Sequence, residues 1–240
     1  MMKNNRFQKL RISIFGMVLL SLMLGACDRA VVPPIDTDTT PTLQVTEQVP
    51  ATPSPSPSPK SIDEVYSQNG LVELIQLDPT FVIDLKNATT DNITGIVQYE
   101  HALCLVHIDI AEALMKAQAL AMADGYRIKI WDAYRPISVQ AAMNASLPDD
   151  QKHFVPPPSN TSQHCRGIAV DITLVDENGV ELDMPTGYCE FTEATYPDYT
   201  GATALQTQNR EYLKSLMKEA GFNVLWLEWW HYYLPGYQKY

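Results

Sequence analysis

The sequence predicts an α+β fold: a single domain with a mainly antiparallel central sheet flanked by helices. Three observations predict it. Residues 126–131 and 168–174 alternate apolar and polar side chains, the period of a half-buried strand. Residues 222–234 are rich in aromatic and β-branched side chains and read as a third strand. Helical spacing fills the stretches between them, and the two patterns do not repeat as βαβ units, which argues against a doubly wound parallel sheet.

Each element has a local reason. Residues 105–124 place Leu105, Ile108, Ala111, Leu114 and Ala121 near helical spacing, with Gly125 as a stop. Pro136 suits the first turn of a short helix reaching about Leu147. Thr203 is a candidate N-cap for a helix to Ala220, with Tyr212, Leu213, Leu216 and Met217 on its apolar face and Gly221 at its end. In the strand at 168–174, Ile168, Val170, Ile172 and Leu174 point to the core. Asp171 then shares the other face with Ala169 and Thr173.

The first sixty residues stand apart from this domain. Lys3, Arg6, Lys9 and Arg11 precede an apolar run from Ile12 to Ala26, which is shorter than the roughly 20 residues of a spanning helix and reads as a secretory signal. The run closes Leu24-Gly25-Ala26-Cys27, which resembles the bacterial lipobox. That resemblance implies cleavage of residues 1–26, a lipid on Cys27 and a lipoprotein anchored outside the cytoplasmic membrane. Residues 27–60 are rich in Pro, Ser and Thr, which make up most of the stretch from Val31 to Lys60, a composition of semi-rigid spacers. The domain is therefore expected at 61–240, long enough for a substantial core.

The whole chain of 240 residues is 45% apolar and carries a net charge of −11. Residues 61–240 hold eleven basic and twenty-four acidic side chains, a net of −13. That excess argues against a nucleic-acid partner, which needs a basic face to replace counterions. With Cys27 lipidated, Cys104, Cys165 and Cys189 remain. A 165–189 bridge and small buried thiols are both compatible with an exported protein. Oligomeric state leaves no mark in the sequence.

Two of the five histidines sit in dense polar and aromatic runs: Ser162-Gln163-His164-Cys165-Arg166-Gly167-Ile168-Ala169-Val170-Asp171 and Leu227-Glu228-Trp229-Trp230-His231-Tyr232. His164, Asp171 and His231 can share one metal if Gly167 turns the chain into the strand. Three N/O ligands with a fourth position open is the pattern of catalytic zinc. Glu228 can serve as a base beside it, although positions three apart on a flat strand face opposite sides. The plain alternative is two satisfied histidines and a Trp-Trp pair in the core.

These two motifs, together with Asp132-Ala133-Tyr134-Arg135-Pro136 and the segment 84–95, resemble the D-alanyl-D-alanine dipeptidases, the VanX-type branch of the zinc D,D-peptidases. The resemblance spans roughly residues 62–237. It implies a zinc D,D-peptidase fold and one Zn2+ held by His164, Asp171 and His231. It also implies Glu228 as general base and then acid, and Arg135 as the oxyanion's partner. Ser162 would bind the substrate carboxylate, and Tyr99 would line the pocket. The implied substrate is a small D-peptide, D-Ala-D-Ala. A D,D- or L,D-carboxypeptidase acting on peptidoglycan stem peptides and a non-catalytic wall-peptide-binding lipoprotein are the alternatives. Two positions depart from the family pattern: an aromatic is Asn87, and the aspartate that grips the dipeptide's amine is Cys189. Glu190, adjacent, is the candidate replacement.

Overall fold

The computed structural model describes residues 70–158 and 162–236, all within the second of the chain's two compact units, Ser54–Tyr240. The signal, lipidation and spacer expectations, like the domain's start at residue 61, lie outside the described residues.

The chain opens with β1 (Leu71–Glu73), α1 (Leu74–Leu77) and β2 (Val82–Ile83). β3 (Leu105–His107) leads directly into α2 (Ile108–Ala123), followed by β4 (Arg127–Asp132) and α3 (Ile137–Ser146). β5 (Ala169–Val175), α4 (Ala204–Glu219), β6 (Asn223–Leu225) and β7 (Glu228–Tyr233) complete it. The central sheet has the order β2-β4-β5-β7-β6, while β1 and β3 form a separate antiparallel pair. Only the β2–β4 pairing in the central sheet is parallel. The α+β class with a mainly antiparallel sheet is thus observed.

Two expectations on elements need correction. The helix expected from residue 105 begins at Ile108, because Leu105–His107 pair with β1 and the His107 side chain caps the helix by accepting from the Asp109 N–H at 3.2 Å. The single strand expected over 222–234 is a hairpin, turning at Trp226 and Leu227. The run carries no Gly, Pro or Asn at its turn, so no punctuation marked it.

The other elements form where their side chains direct. Thr203 caps α4 in a reciprocal box with Gln206. Its apolar face buries Leu213, Leu216 and Met217. Gly125 and Gly221 follow the ends of α2 and α4 with positive φ, as helix stops do. β5 is buried along its whole length, so both of its faces are covered. Trp131 from β4 and Trp229 and Trp230 from β7 pack edge to face at centroid separations of 5.4–6.4 Å. This aromatic layer fixes β4 and β7 on either side of β5, and the site grows out of that arrangement.

Candidate metal centre and catalytic cleft

The site begins with strand register. Asp171 on β5 lies opposite His231 on β7 and opposite Asp132 on β4, where β4 bulges. Three polar side chains therefore stand in a row across three adjacent strands. His164 arrives from a 3-10 turn, His164–Arg166, closed by Gly167 at φ 69°. A Cβ at Gly167 would lie 2.6 Å from Leu71 Cδ2 and 3.0 Å from the His107 backbone nitrogen. Only glycine suits both that φ and that space.

The histidines and the aspartate converge. His164 Nε2 and His231 Nδ1 are 3.1 Å apart, and Asp171 Oδ1 lies 3.2 Å from the first and 3.1 Å from the second. All three residues are buried. Metal bonds of about 2.0–2.1 Å spread at the tetrahedral angle hold two donors about 3.3 Å apart. This triangle is nearly that size.

The outer nitrogens settle the chemistry of the inner ones. His164 Nδ1 donates to the Ala133 carbonyl at 2.8 Å, and His231 Nε2 donates to Gln163 Oε1 at 2.9 Å. Each ring then presents a lone pair to the centre, the form that ligates metal. Burial lowers the His231 pKa and keeps that ring neutral. Asp171 Oδ1 is buried with no hydrogen-bond donor. Two lone pairs and a carboxylate oxygen facing one another repel unless a cation stands between them, so the residues present fit a divalent metal. Two nitrogens and one oxygen at the corners of a triangle of this size suit zinc.

Arg135 ties the rest together. Its Nε donates to Asp132 Oδ2 at 2.7 Å, one terminal nitrogen to Gln140 Oε1 at 2.8 Å and the other to Asp171 Oδ2 at 3.2 Å. Those bonds use three of its five N–H groups. The remaining two belong to a side chain that lines the cleft with Ser162, Asp171, Glu228 and His231. Phe154, Phe191 and Trp230 form an apolar wall of the same cleft.

Glu228 reaches the cleft through an irregularity. Leu225 pairs with Glu228 but Val224 pairs with Tyr232, so β7 bulges against β6 between those pairs. The bulge brings Glu228 and His231 to one side, with Glu228 Oε2 3.7 Å from His231 Nδ1. Burial, and next the Asp171 charge, push the Glu228 carboxyl well above the usual range. A cation at the triad acts in the opposite direction.

Two sequence expectations change here, those on Tyr99 and Glu190. Tyr99 does not line this cleft; its hydroxyl donates to Asp132 Oδ1, and the residue lines a second cleft with Tyr134 and Pro136. Glu190 is exposed and accepts from the Gly187 backbone N–H at 2.9 Å, so its carboxylate turns away from the cleft. Cys189 adopts φ 56° and does line the cleft, while Cys104, Cys165 and Cys189 are all free thiols. Asn87 is fully buried and donates to Asp132 Oδ2 at 3.1 Å. Sequence reasoning gave no role to Gln140 or to the Ala133 carbonyl. A main-chain acceptor has no residue signature, and Gln140 is one polar position on a helix.

Known proteins place this arrangement in a lineage. A family model described as Peptidase M15, D-Ala-D-Ala dipeptidase, matches residues 67–240. The D-alanyl-D-alanine dipeptidase of Escherichia coli K12 is 39% identical over 170 residues, covering 71% of this chain and 87% of that protein. The Enterococcus faecium protein of that name is 34% identical, covering 63% and 84%. The one from Enterococcus faecalis V583 is 31% identical, covering 70% and 92%. The matched region contains every residue that lines the cleft, from Arg135 to His231, and the chain belongs to the D-Ala-D-Ala dipeptidase family of peptidases.

Proposed function

We propose that this chain is a zinc-dependent dipeptidase that hydrolyses D-Ala-D-Ala to two molecules of D-alanine. The observation that carries the reading is the triad of His164, Asp171 and His231, with both outer histidine nitrogens committed, sharing a cleft with Glu228 and Arg135. A zinc ion held by His164, Asp171 and His231 would supply positive charge that polarises a carbonyl and makes water more acidic. Glu228 takes the proton from the attacking water and hands it to the departing amino nitrogen. The two unengaged N–H groups of Arg135 stabilise the charge that grows on the carbonyl oxygen. Ser162, buried at the cleft wall, binds the substrate carboxylate.

A second reading is favoured by Cys189. Its thiol stands in the cleft wall and is held neutral by burial. Among the described residues lining the cleft, the carboxylates are Asp171 and Glu228, both already engaged. A peptide in which the nitrogen of the residue before the scissile bond is already acylated, such as the stem peptide of a D,D- or L,D-carboxypeptidase, presents no ammonium at that point and needs no further acid there.

One assay separates the readings. The purified, zinc-loaded protein is given D-Ala-D-Ala and a stem pentapeptide side by side, with Glu228→Ala as control, and products are read by mass spectrometry. Release of D-alanine from the dipeptide, lost in the control, is the expected outcome. Cleavage of the pentapeptide alone would replace the first reading with the second, and cleavage of neither would sink both.

The address is a proposal as well. Residues 1–26 act as a signal peptide, Cys27 carries lipid, and residues 27–60 space the domain 61–240 from the outer face of the membrane. An enzyme there meets peptides released from the wall rather than the cytoplasmic dipeptide pool. Mass spectrometry of membrane fractions should find a diacylated N-terminal Cys27; an unmodified thiol excludes the anchor.

A further inference from the structure

Asp132 is fully buried and ionisable, and it ligates nothing in the cleft. Its two oxygens nevertheless receive four donors. Oδ1 accepts from the Tyr99 hydroxyl and from the Ala133 backbone N–H at 3.0 Å. Oδ2 accepts from Asn87 Nδ2 at 3.1 Å and Arg135 Nε at 2.7 Å. A carboxylate gripped on both oxygens cannot swing about its own bond, so the oxygen that receives Arg135 Nε is held in place, and with Gln140 and Asp171 on the terminal nitrogens it fixes the guanidinium.

The support for Asp132 comes from one segment. The Asn87 carbonyl accepts from the backbone N–H groups of Gln98 at 2.8 Å and Tyr99 at 3.0 Å. Asn87 therefore ties down Tyr99 with its main chain while its side chain grips Asp132. Neither residue lines the catalytic cleft. Asn87 Oδ1 is buried without a partner. That arrangement is costly for an amide whose only task is to fill space. It is intelligible if the Nδ2 donor to Asp132 is what the position must supply.

We propose that Tyr99 and Asn87 are positioning residues of the dipeptidase reaction, acting through Asp132 to aim the free N–H groups of Arg135 at the scissile carbonyl. The inference rests on the reading of Arg135 as the oxyanion's partner. Tyr99 thus belongs to the machinery as a support behind the arginine.

The test is a set of steady-state measurements on the zinc-loaded full chain with D-Ala-D-Ala. It compares Tyr99→Phe, Asn87→Ser, Arg135→Ala and the double variant Tyr99→Phe/Arg135→Ala. Losing an oxyanion donor outright costs about 10²–10³ in rate, so misaiming one should lower kcat of Tyr99→Phe about tenfold. KM should stay within about twofold and zinc content should be unchanged, because that hydroxyl touches neither the metal donors nor Ser162. The double variant should be no slower than Arg135→Ala alone, since a positioning residue has nothing left to position. Wild-type kcat in Tyr99→Phe overturns the proposal, as does lost zinc or a defect that multiplies with that of Arg135→Ala. If Tyr99→Phe does not fold, Asn87→Ser decides by the same criteria. Should Arg135→Ala turn over normally while Glu228→Ala is dead, the reading of Arg135 fails and takes the proposal with it. A slowed Arg135→Ala beside an unimpaired Tyr99→Phe sinks the positioning role alone.

Discussion

The two histidines offer the metal different nitrogens, Nε2 from His164 and Nδ1 from His231, and each choice is enforced by one carbonyl oxygen behind the ring. For His231 that oxygen is on a side chain and can be removed. Gln163→Leu keeps the bulk but takes away the acceptor that holds Nε2–H, freeing the ring to tautomerise and turn. Such partners are worth about 10–100-fold in metal affinity, so zinc should bind that much more weakly to Gln163→Leu, measured by competition with a chromogenic chelator. Unchanged affinity would show that the register of β7 alone orients His231. At this scale the ligand types were legible, because two dense runs concentrate His, Asp and Glu in a chain with only five histidines. Side-chain direction was not. Cys189 sits in the left-handed region, and the Gly187 N–H captures the Glu190 carboxylate. A turn of that shape leaves no pattern in residue types, so Glu190 was expected inside and lies outside.

At the scale of elements, the site depends on two departures from regularity. The strand rule that puts Glu228 and His231 on opposite faces is overcome by the bulge in β7. The sequence states the conflict but not its resolution, since no glycine or proline marks the place. Gly167 is the other departure, and there the sequence did speak. A glycine between His164 and the start of β5 was expected to turn the chain, and it does so at φ 69°. The Gly167 carbonyl also accepts from the His107 N–H at 2.7 Å, so the turn is pinned to the β1–β3 pair. Gly167→Ala meets both the left-handed penalty of about 1–2 kcal/mol and the contact with the His107 backbone, which cannot move aside cheaply. The variant should lose at least about 2 kcal/mol of stability in urea unfolding, and the His164 turn should shift enough to weaken zinc binding. A neutral substitution would mean that the turn relaxes without cost. The hairpin at Trp226 and Leu227 shows the limit of reading elements from composition. Aromatic and β-branched density identified strand residues correctly but could not locate a turn built from apolar ones.

For the whole molecule, the three metal donors come from positions 164, 171 and 231, on a turn, a central strand and its neighbour. Composition and pattern made the α+β class legible. The pairing order β2-β4-β5-β7-β6 was not, because pairing between strands far apart in sequence is decided by packing rather than by local propensity. A metal bound across such distant positions joins the last part of the chain to its middle. The apo protein has to keep Asp171 Oδ1 and two imidazole lone pairs buried against one another, and unfolding relieves that repulsion. Binding to the native state alone adds about 2.7 kcal/mol when free metal is a hundredfold above Kd. For a domain of this size each kcal/mol moves Tm by about 2–4 °C. Stripping the protein with a chelator and dialysing it away should therefore lower Tm by about 5–10 °C, and added zinc should restore it. His231→Ala, which deletes one donor, should melt at the same temperature with and without zinc at that concentration. If the wild-type midpoint does not respond to zinc, the triad is a buried hydrogen-bonded cluster, and the catalytic reading of the cleft loses its metal.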